Sequence, residues 1–315
     1  VSTTTRSEPP IIEFRGVSKW YGNVIGVNKL TLAVTPGVTG LLGPNGAGKS
    51  TFLQLATGQL RPSQGEVRVL GHRAWNNPPL NRFIGLCPEQ DAFYEWMTGR
   101  QFIDTSARLG GLSHKAAREA TERVLDGVGM TEHADRAIAG YSKGMRQRTK
   151  IAQAIVHDPL VLFLDEPLSG TDPIARRDLI GIIRRFGAEG KSVVLSSHVL
   201  HEVEAITPGV ILINRGRLVA EGNVREIRDL IDKHPHRILL KSEDDRALAA
   251  KLVAYDDVVG IELKRTEAGI LVETNAPDAF YGRLAQIALE EGTAIERLES
   301  KDDNLDAVFA YLVNS

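Results

Sequence analysis

Cysteine occurs once in the 315 residues, at Cys87, so neither an internal disulfide nor a multi-cysteine metal site can form. A reducing compartment is the natural setting for such a chain. Excess charge of either sign is also missing: 38 Lys+Arg face 40 Asp+Glu, a formal charge of −2. A dedicated nucleic-acid binder would carry a clear basic excess, so no nucleic-acid partner is expected. No run approaches the roughly 18–20 apolar residues of a membrane-spanning helix, and direct insertion is not expected. Residues 1–10 are polar, with no apolar stretch behind Arg6, which is unlike a secretory signal; they read as a loose, disordered tail. The expected location is therefore cytoplasmic, peripheral to the membrane only through a partner. Repeats and low-complexity tracts are lacking too.

What remains is an ordinary globular composition, 42% apolar and 25% charged. The length suits two domains. Charge is distributed unevenly between them: residues 237–315 hold 9 basic and 16 acidic side chains, net −7, leaving net +5 for residues 1–236. That asymmetry places a boundary in a linker at about 223–236.

Short β-rich stretches at 11–14, 30–34 and 38–42 open the chain, with Pro36-Gly37 as a turn before the third. A helix follows through about 58, then strands at 66–70 and 83–86. From about 91 to 158 Ala, Arg, Glu and Leu dominate, and Phe102, Ala107, Leu109, Ala116, Ala120, Val124, Leu125 and Val128 recur at helical spacing. This reads as a helical insert. Strands return at 160–164, 192–195 and 210–213, with helices at 174–186 and 199–206. Alternation of helices with continuously apolar strands implies a mostly parallel sheet covered on both faces. After an amphipathic stretch (Val224, Ile227, Leu230, Ile231), residues 237–298 read strand, helix, strand, strand, helix, strand. This is the ferredoxin-like order of a small α+β domain, here with a last helix at 305–312.

Two motifs carry chemistry. Gly43-Pro44-Asn45-Gly46-Ala47-Gly48-Lys49-Ser50 lies where a strand meets a helix and matches the phosphate-binding loop. Its glycines let backbone N–H groups surround phosphates, Lys49 reaches the β and γ oxygens, and the Ser50 hydroxyl suits Mg²⁺. The second motif is the apolar strand 160–164 ending in Asp165-Glu166. Adjacent carboxylates at the end of a buried strand are costly unless a cation occupies the site. Asp165 holding Mg²⁺ and Glu166 activating water would account for both.

With these motifs in place, further segments resemble the ATP-binding subunit of an ABC transporter, over residues 11–222. Tyr21, before Gly22, resembles the aromatic residue that stacks on adenine. Gln90 resembles the glutamine linking Mg²⁺ and water to the helical insert. Tyr141-Ser142-Lys143-Gly144-Met145 resembles the signature sequence, with Ser142 also a helix cap. Ser169-Gly170-Thr171-Asp172 resembles the loop that crosses between subunits, and His198 the histidine that contacts the γ-phosphate. The resemblance implies a P-loop NTPase core of ABC type, with a β-rich N-terminal subdomain and the helical subdomain inserted. It implies ATP and Mg²⁺ as ligands. Thr51 joins the phosphate loop in binding nucleotide, and Ser50, Gln90 and Asp165 serve the metal. It further implies two subunits packed head-to-tail, either a homodimer or a pair with a second ATPase subunit. Each ATP would lie between the Lys49 loop of one and Ser142 and Gly144 of the other, with Asp172 also among the nucleotide-binding residues.

The signature departs from the usual Leu-Ser-Gly-Gly-Gln at Tyr141, Lys143 and Met145, and Thr171 stands where Leu is common. Together with the acidic extension and the segment 303–309, it resembles the ATPases of ABC-2 type exporters, which work with a separate membrane-spanning permease. An importer ATPase and a soluble non-transport ABC ATPase are the alternatives. The former usually carries a β-rich C-terminal barrel, and the latter two cassettes or zinc-binding cysteines. Phe93, Tyr94, Trp96 and Met97 cluster after Gln90 and suit either a permease-docking surface or packing of the helical insert.

Overall fold

A computed structural model describes residues 9–224, 235–264, 269–291 and 293–300. The chain divides into two compact units, Val1–Gly222 and Asn223–Ser315.

In the first unit, β1 (Ile12–Tyr21) and β2 (Val24–Val34) form an antiparallel hairpin closed by Gly22-Asn23, with Tyr21 opposite Val24. Both strands run several residues beyond the β-rich cores at 11–14 and 30–34, because hairpin pairing carries the half-exposed residues between them. With β4 (Gln64–Val69) and the two-residue β5 (His72–Arg73) they make a sheet ordered β2-β1-β4-β5. Phe14 of β1 stacks on Phe52 at 4.3 Å between ring centroids, and both rings are buried. This contact fixes α1 (Lys49–Ala56) against the sheet. Truncating a ring so buried costs about 3–5 kcal/mol.

The second sheet runs β10-β9-β3-β8-β7-β6. Its strands are β3 (Val38–Leu42), β6 (Ile84–Cys87), β7 (Val161–Leu164), β8 (Ser192–Ser197), β9 (Gly209–Asn214) and the edge strand β10 (Arg217–Asn223). All residues of β7 and β8 are buried, as expected for parallel strands covered on both faces. The pairs β3–β8, β3–β9, β7–β8 and β6–β7 are parallel, so β3, β7, β8 and β6 all end at one edge of the sheet. The register sets Leu41 against Ser196 and Leu164 against both Leu195 and Cys87. Strands β6 to β10 lie in chain order across the sheet with β3 inserted between β8 and β9, and open α/β sheets bind ligands outside the carboxyl ends of their strands. Strands β5 and β10 are absent from the sequence reading, being short or half-exposed.

The helical insert is three helices: α2 (Gly99–Leu109), α3 (His114–Gly127) and α4 (Lys143–Ile155). A reciprocal capping box of Thr98 and Gln101 starts α2, and Ser113 caps α3. Phe102, Ala107, Ala120, Val124, Leu125 and Val128 are buried as their spacing predicts. Leu109, however, is 85% exposed at the helix end, and Ala117 rather than Ala116 faces the core. Helices α5 (Pro173–Ala188) and α6 (Leu200–Glu204) complete this unit.

The second unit contains β11 (His236–Ser242), α7 (Asp245–Leu252), β12 (Val258–Lys264), β13 (Gly269–Thr274), α8 (Pro277–Glu291) and β14 (Ile295–Ser300). The sheet order is β12-β13-β11-β14, with every neighbouring pair antiparallel. These are two interleaved βαβ units, the ferredoxin-like topology. Ile238, Leu240, Leu248, Val272, Phe280 and Leu284 are among its buried core. The expected helix at 305–312, the resemblance at 303–309 and the apolar positions Ile227, Leu230 and Ile231 lie outside the described residues.

Candidate functional site

The end of β3 feeds the loop that begins at Gly43. A Cβ there would sit 2.4 Å from the Ile213 carbonyl oxygen, so only glycine lets the chain pass β9 this closely. Gly48 caps α1 at φ 106, left-handed backbone that other residues rarely adopt. No side chain caps α1 among the described residues, which leaves its first N–H groups for an anion.

Lys49 is 7% exposed and folds back over the loop. Its ammonium donates to the Gly43 carbonyl at 2.7 Å and the Pro44 carbonyl at 3.3 Å. It also pairs with Glu166 Oε1 at 3.2 Å, an ion pair without a well-aligned hydrogen bond. Glu166 Oε2 lies 3.0 Å from His198 Nδ1. Phosphate loop, strand-end carboxylate and histidine thus meet in one chain of contacts, although 49, 166 and 198 are distant in sequence.

Glu166 has φ 47, an uncommon value for a residue with a side chain. Its N–H donates to Ser196 Oγ at 2.8 Å, and the Ser196 hydroxyl donates to Asp165 Oδ1 at 2.6 Å. Ser196 is fully buried and holds both acidic residues at once. No sequence motif singles out Ser196; the signal available is a polar Ser196-Ser197 pair closing an apolar run just before His198.

A cavity of about 330 Å³ opens here, lined by Tyr21, residues 24–26 and 45–51, Glu89 and Glu166. Tyr21 is 45% exposed, with its hydroxyl 3.4 Å from Thr51 Oγ1 and the Lys19 ammonium 5.4 Å from its ring centroid, so part of the ring is open to a flat ligand. An anionic group on the loop, a flat group against Tyr21 and a carboxylate at the loop's floor together suit a nucleoside triphosphate. Lys49, Asp165 and Glu166 are all buried here, one lysine with two carboxyl side chains. The oxygen donors Ser50 and Asp165 fit Mg²⁺, which takes few protein ligands and shares phosphate and water. Among the described residues no group of three or more His, Cys, Asp or Glu that could hold a metal occurs.

The ABC transporter family profile matches residues 27–169. The daunorubicin/doxorubicin resistance ATP-binding protein DrrA of Streptomyces peucetius is 33% identical over 304 residues, covering 96% of this chain and 92% of its own length. The chain belongs to the ABC transporter ATP-binding family. The bacitracin transport ATP-binding protein BcrA of Enterococcus faecalis is 31% identical over 96% of each chain. A solved ATP-binding subunit of an ABC transporter superposes with TM-score 0.63 at 27% identity, covering 70% of this chain and 93% of that one. This protein is accordingly an ATP-binding ABC transporter subunit and an ATPase.

Other residues singled out in the ABC ATPase sequence lie outside the cavity lining. Ser142 is exposed and caps α4, its Oγ accepting from the Met145 N–H at 3.3 Å. Gly144 is buried, and a Cβ there would meet Ala175 Cβ at 3.0 Å. Asp172 caps α5 by accepting from the Ile174 and Ala175 N–H groups. Gln90 is exposed, and its neighbour Glu89 reaches the cavity instead. The aromatic cluster divides. Met97 is buried and Phe93 packs edge-on against Phe102 at 5.0 Å, whereas Tyr94 and Trp96 are 62% and 76% exposed. Tyr141 is buried, its hydroxyl donating to the His133 carbonyl, and burial pushes its pKa up. There it is a packing residue.

Proposed function

We propose that this ABC ATPase powers export of a substrate through a separate membrane-spanning permease, working as a head-to-tail pair. The contact chain Lys49–Glu166–His198 at the phosphate loop carries the catalytic part of the reading. A triphosphate on residues 43–51 competes for the Lys49 ammonium and so releases Glu166 to act on water. Glu166 takes the proton of a water whose oxygen bonds to the γ-phosphorus as the bond to the β–γ bridging oxygen breaks, leaving ADP and phosphate. His198 Nδ1 orients the Glu166 carboxylate, and its Nε2 remains for a γ-phosphate oxygen. Ser196 keeps Glu166 and Asp165 in register. Tyr21 stacks on the base. Ser50 and Asp165 would hold Mg²⁺, which would supply neutralisation of the phosphate charge. Gln90 would join that set only if its loop turned inward.

Ser142, Gly144 and Asp172 stand apart from the cavity of their own chain, which favours their use on the nucleotide of a second copy or of a paired ATPase subunit. The exposed Tyr94 and Trp96 are the proposed permease contact, placing the protein at the membrane surface on the cytoplasmic side. Among the described residues no helix is long and apolar enough to cross a membrane. The division proposed is a tail over 1–10, an ATPase domain over 11–222 with its insert at about 91–158, a linker over 223–236 and an accessory domain over 237–315. The export direction draws support from the kinship with the drug-resistance protein DrrA.

Glu166→Gln tests the catalytic core. It keeps shape and removes the base, so kcat should fall about 10²–10⁴-fold. Mg-ATP should still bind and trap a dimer visible by scattering. Turnover within a fewfold of the parent would refute Glu166 as base; a monomer at saturating Mg-ATP would refute the head-to-tail pair.

A further inference from the structure

Lysine is rarely buried, and a buried ammonium is tolerated only when all its donors are used. Lys150 on α4 has a side chain only 4% exposed. Its Nζ donates to the Pro88 carbonyl at 3.0 Å and the Glu89 carbonyl at 2.7 Å, and pairs with Asp91 Oδ1 at 3.1 Å. Two hydrogen bonds and one ion pair thus hold the ammonium, all within residues 88–91 of the loop that follows β6.

The same helix grips that segment twice more. Arg146, one turn earlier, makes a two-pronged contact to Glu95 at 2.7 Å for each bond and lies 3.7 Å from Asp91. Gln147 Nε2 lies 3.7 Å from Cys87 Sγ. The segment 87–95 is therefore fastened to α4 along its length, and Glu89, within it, lines the nucleotide cavity.

We propose that Lys150 is a positioning residue: it staples the 88–91 loop to α4 and so sets the wall of the ATP cavity at Glu89. The inference rests on the reading of that cavity as the nucleotide site. Because Ser142 caps α4, the staple also joins the signature segment to that wall, so displacement of α4 moves Glu89 with it.

The sole cysteine supplies a native probe. Cys87 is fully buried where the loop begins, and burial pushes its thiol pKa up to about 12, so a thiol reagent reaches it only when the segment lifts. The test compares the full chain with Lys150→Met and Lys150→Arg. It reads Cys87 labelling by an aromatic disulfide reagent without nucleotide, then kcat and KM for ATP, with the thermal midpoint as a folding control. Lys150→Met is expected to label about tenfold faster or more, as a local opening would allow. Its kcat should fall roughly 10- to 100-fold through misplaced geometry, with KM changed less than about threefold. Lys150→Arg, keeping the cation, should recover most of both.

Unchanged labelling, unchanged kcat or a loss confined to KM in Lys150→Met overturns the proposal, as does an arginine variant no better than methionine. Should Lys150→Met not fold, Asp91→Asn, altered at a half-exposed acceptor, is judged by the same labelling and kcat criteria. Labelling needs no ATP, so it judges the staple separately from the ATP reading. A parent chain that binds no Mg-ATP overturns only the latter.

Discussion

Ser196→Ala deletes a single hydroxyl from a site with no exposure, leaving the backbone and volume nearly unchanged. The hydroxyl donates to Asp165 Oδ1 and accepts from the Glu166 N–H, so one deletion orphans a buried carboxylate oxygen and a buried amide. The hydrogen bond to the charged Asp165 is worth about 1.5–3 kcal/mol and the amide bond about 1 kcal/mol, giving roughly 2–4 kcal/mol of lost stability. For a domain of 150–250 residues, each kcal/mol lowers the midpoint by about 2–4 °C, so a drop on the order of 10 °C is expected. Differential scanning of the full chain should show it in the ATPase transition, with that of the second unit unmoved. Function should fall as well. Glu166 sits at φ 47, and without Ser196 its backbone relaxes and the carboxylate leaves His198. Turnover should drop at least tenfold with KM for ATP little changed. A midpoint within about 1 °C of the parent, together with an unaltered kcat, would refute the claim that this hydroxyl holds the two carboxylates in register.

Other expectations follow from single contacts. Tyr21→Ala should weaken ATP binding by about 1–3 kcal/mol, the usual worth of aromatic stacking on a base, while Tyr21→Phe retains it; equilibrium titration with a fluorescent ATP analogue separates the two. Trp96→Ala removes a side chain 76% exposed, so thermal stability and basal ATPase should persist while co-purification with the permease and transport are lost. Unfolding of that variant would return Trp96 to the core of the insert. The Arg146 hydrogen bond holds the Glu95 pKa below its usual value, so its stabilisation is present above the unfolded carboxylate range and fades as pH falls through the lower folded pKa. Glu95→Gln should therefore destabilise at neutral pH, and its melting curve should converge with the parent's in acid.

The sequence alone determined what local chemistry can write. Glycine spacing set the phosphate loop, apolar runs set buried strands, and a helix–strand rhythm set the ferredoxin-like order of the second unit. These signals are local because each depends on backbone torsions or on one face of one element. Tertiary structure decided which of those residues meet. Parallel register placed Leu41 beside Ser196 and Leu164 beside Leu195, which brought Lys49, Asp165, Glu166, Ser196 and His198 to one sheet edge. It also chose Glu89 over Gln90 for the cavity, buried Lys150 among loop carbonyls, and divided one aromatic cluster into two packed and two exposed side chains. None of these follows from periodicity, because a hydrogen bond across 30 or 61 residues depends on how layers stack and strands align rather than on which neighbours a residue has in the chain.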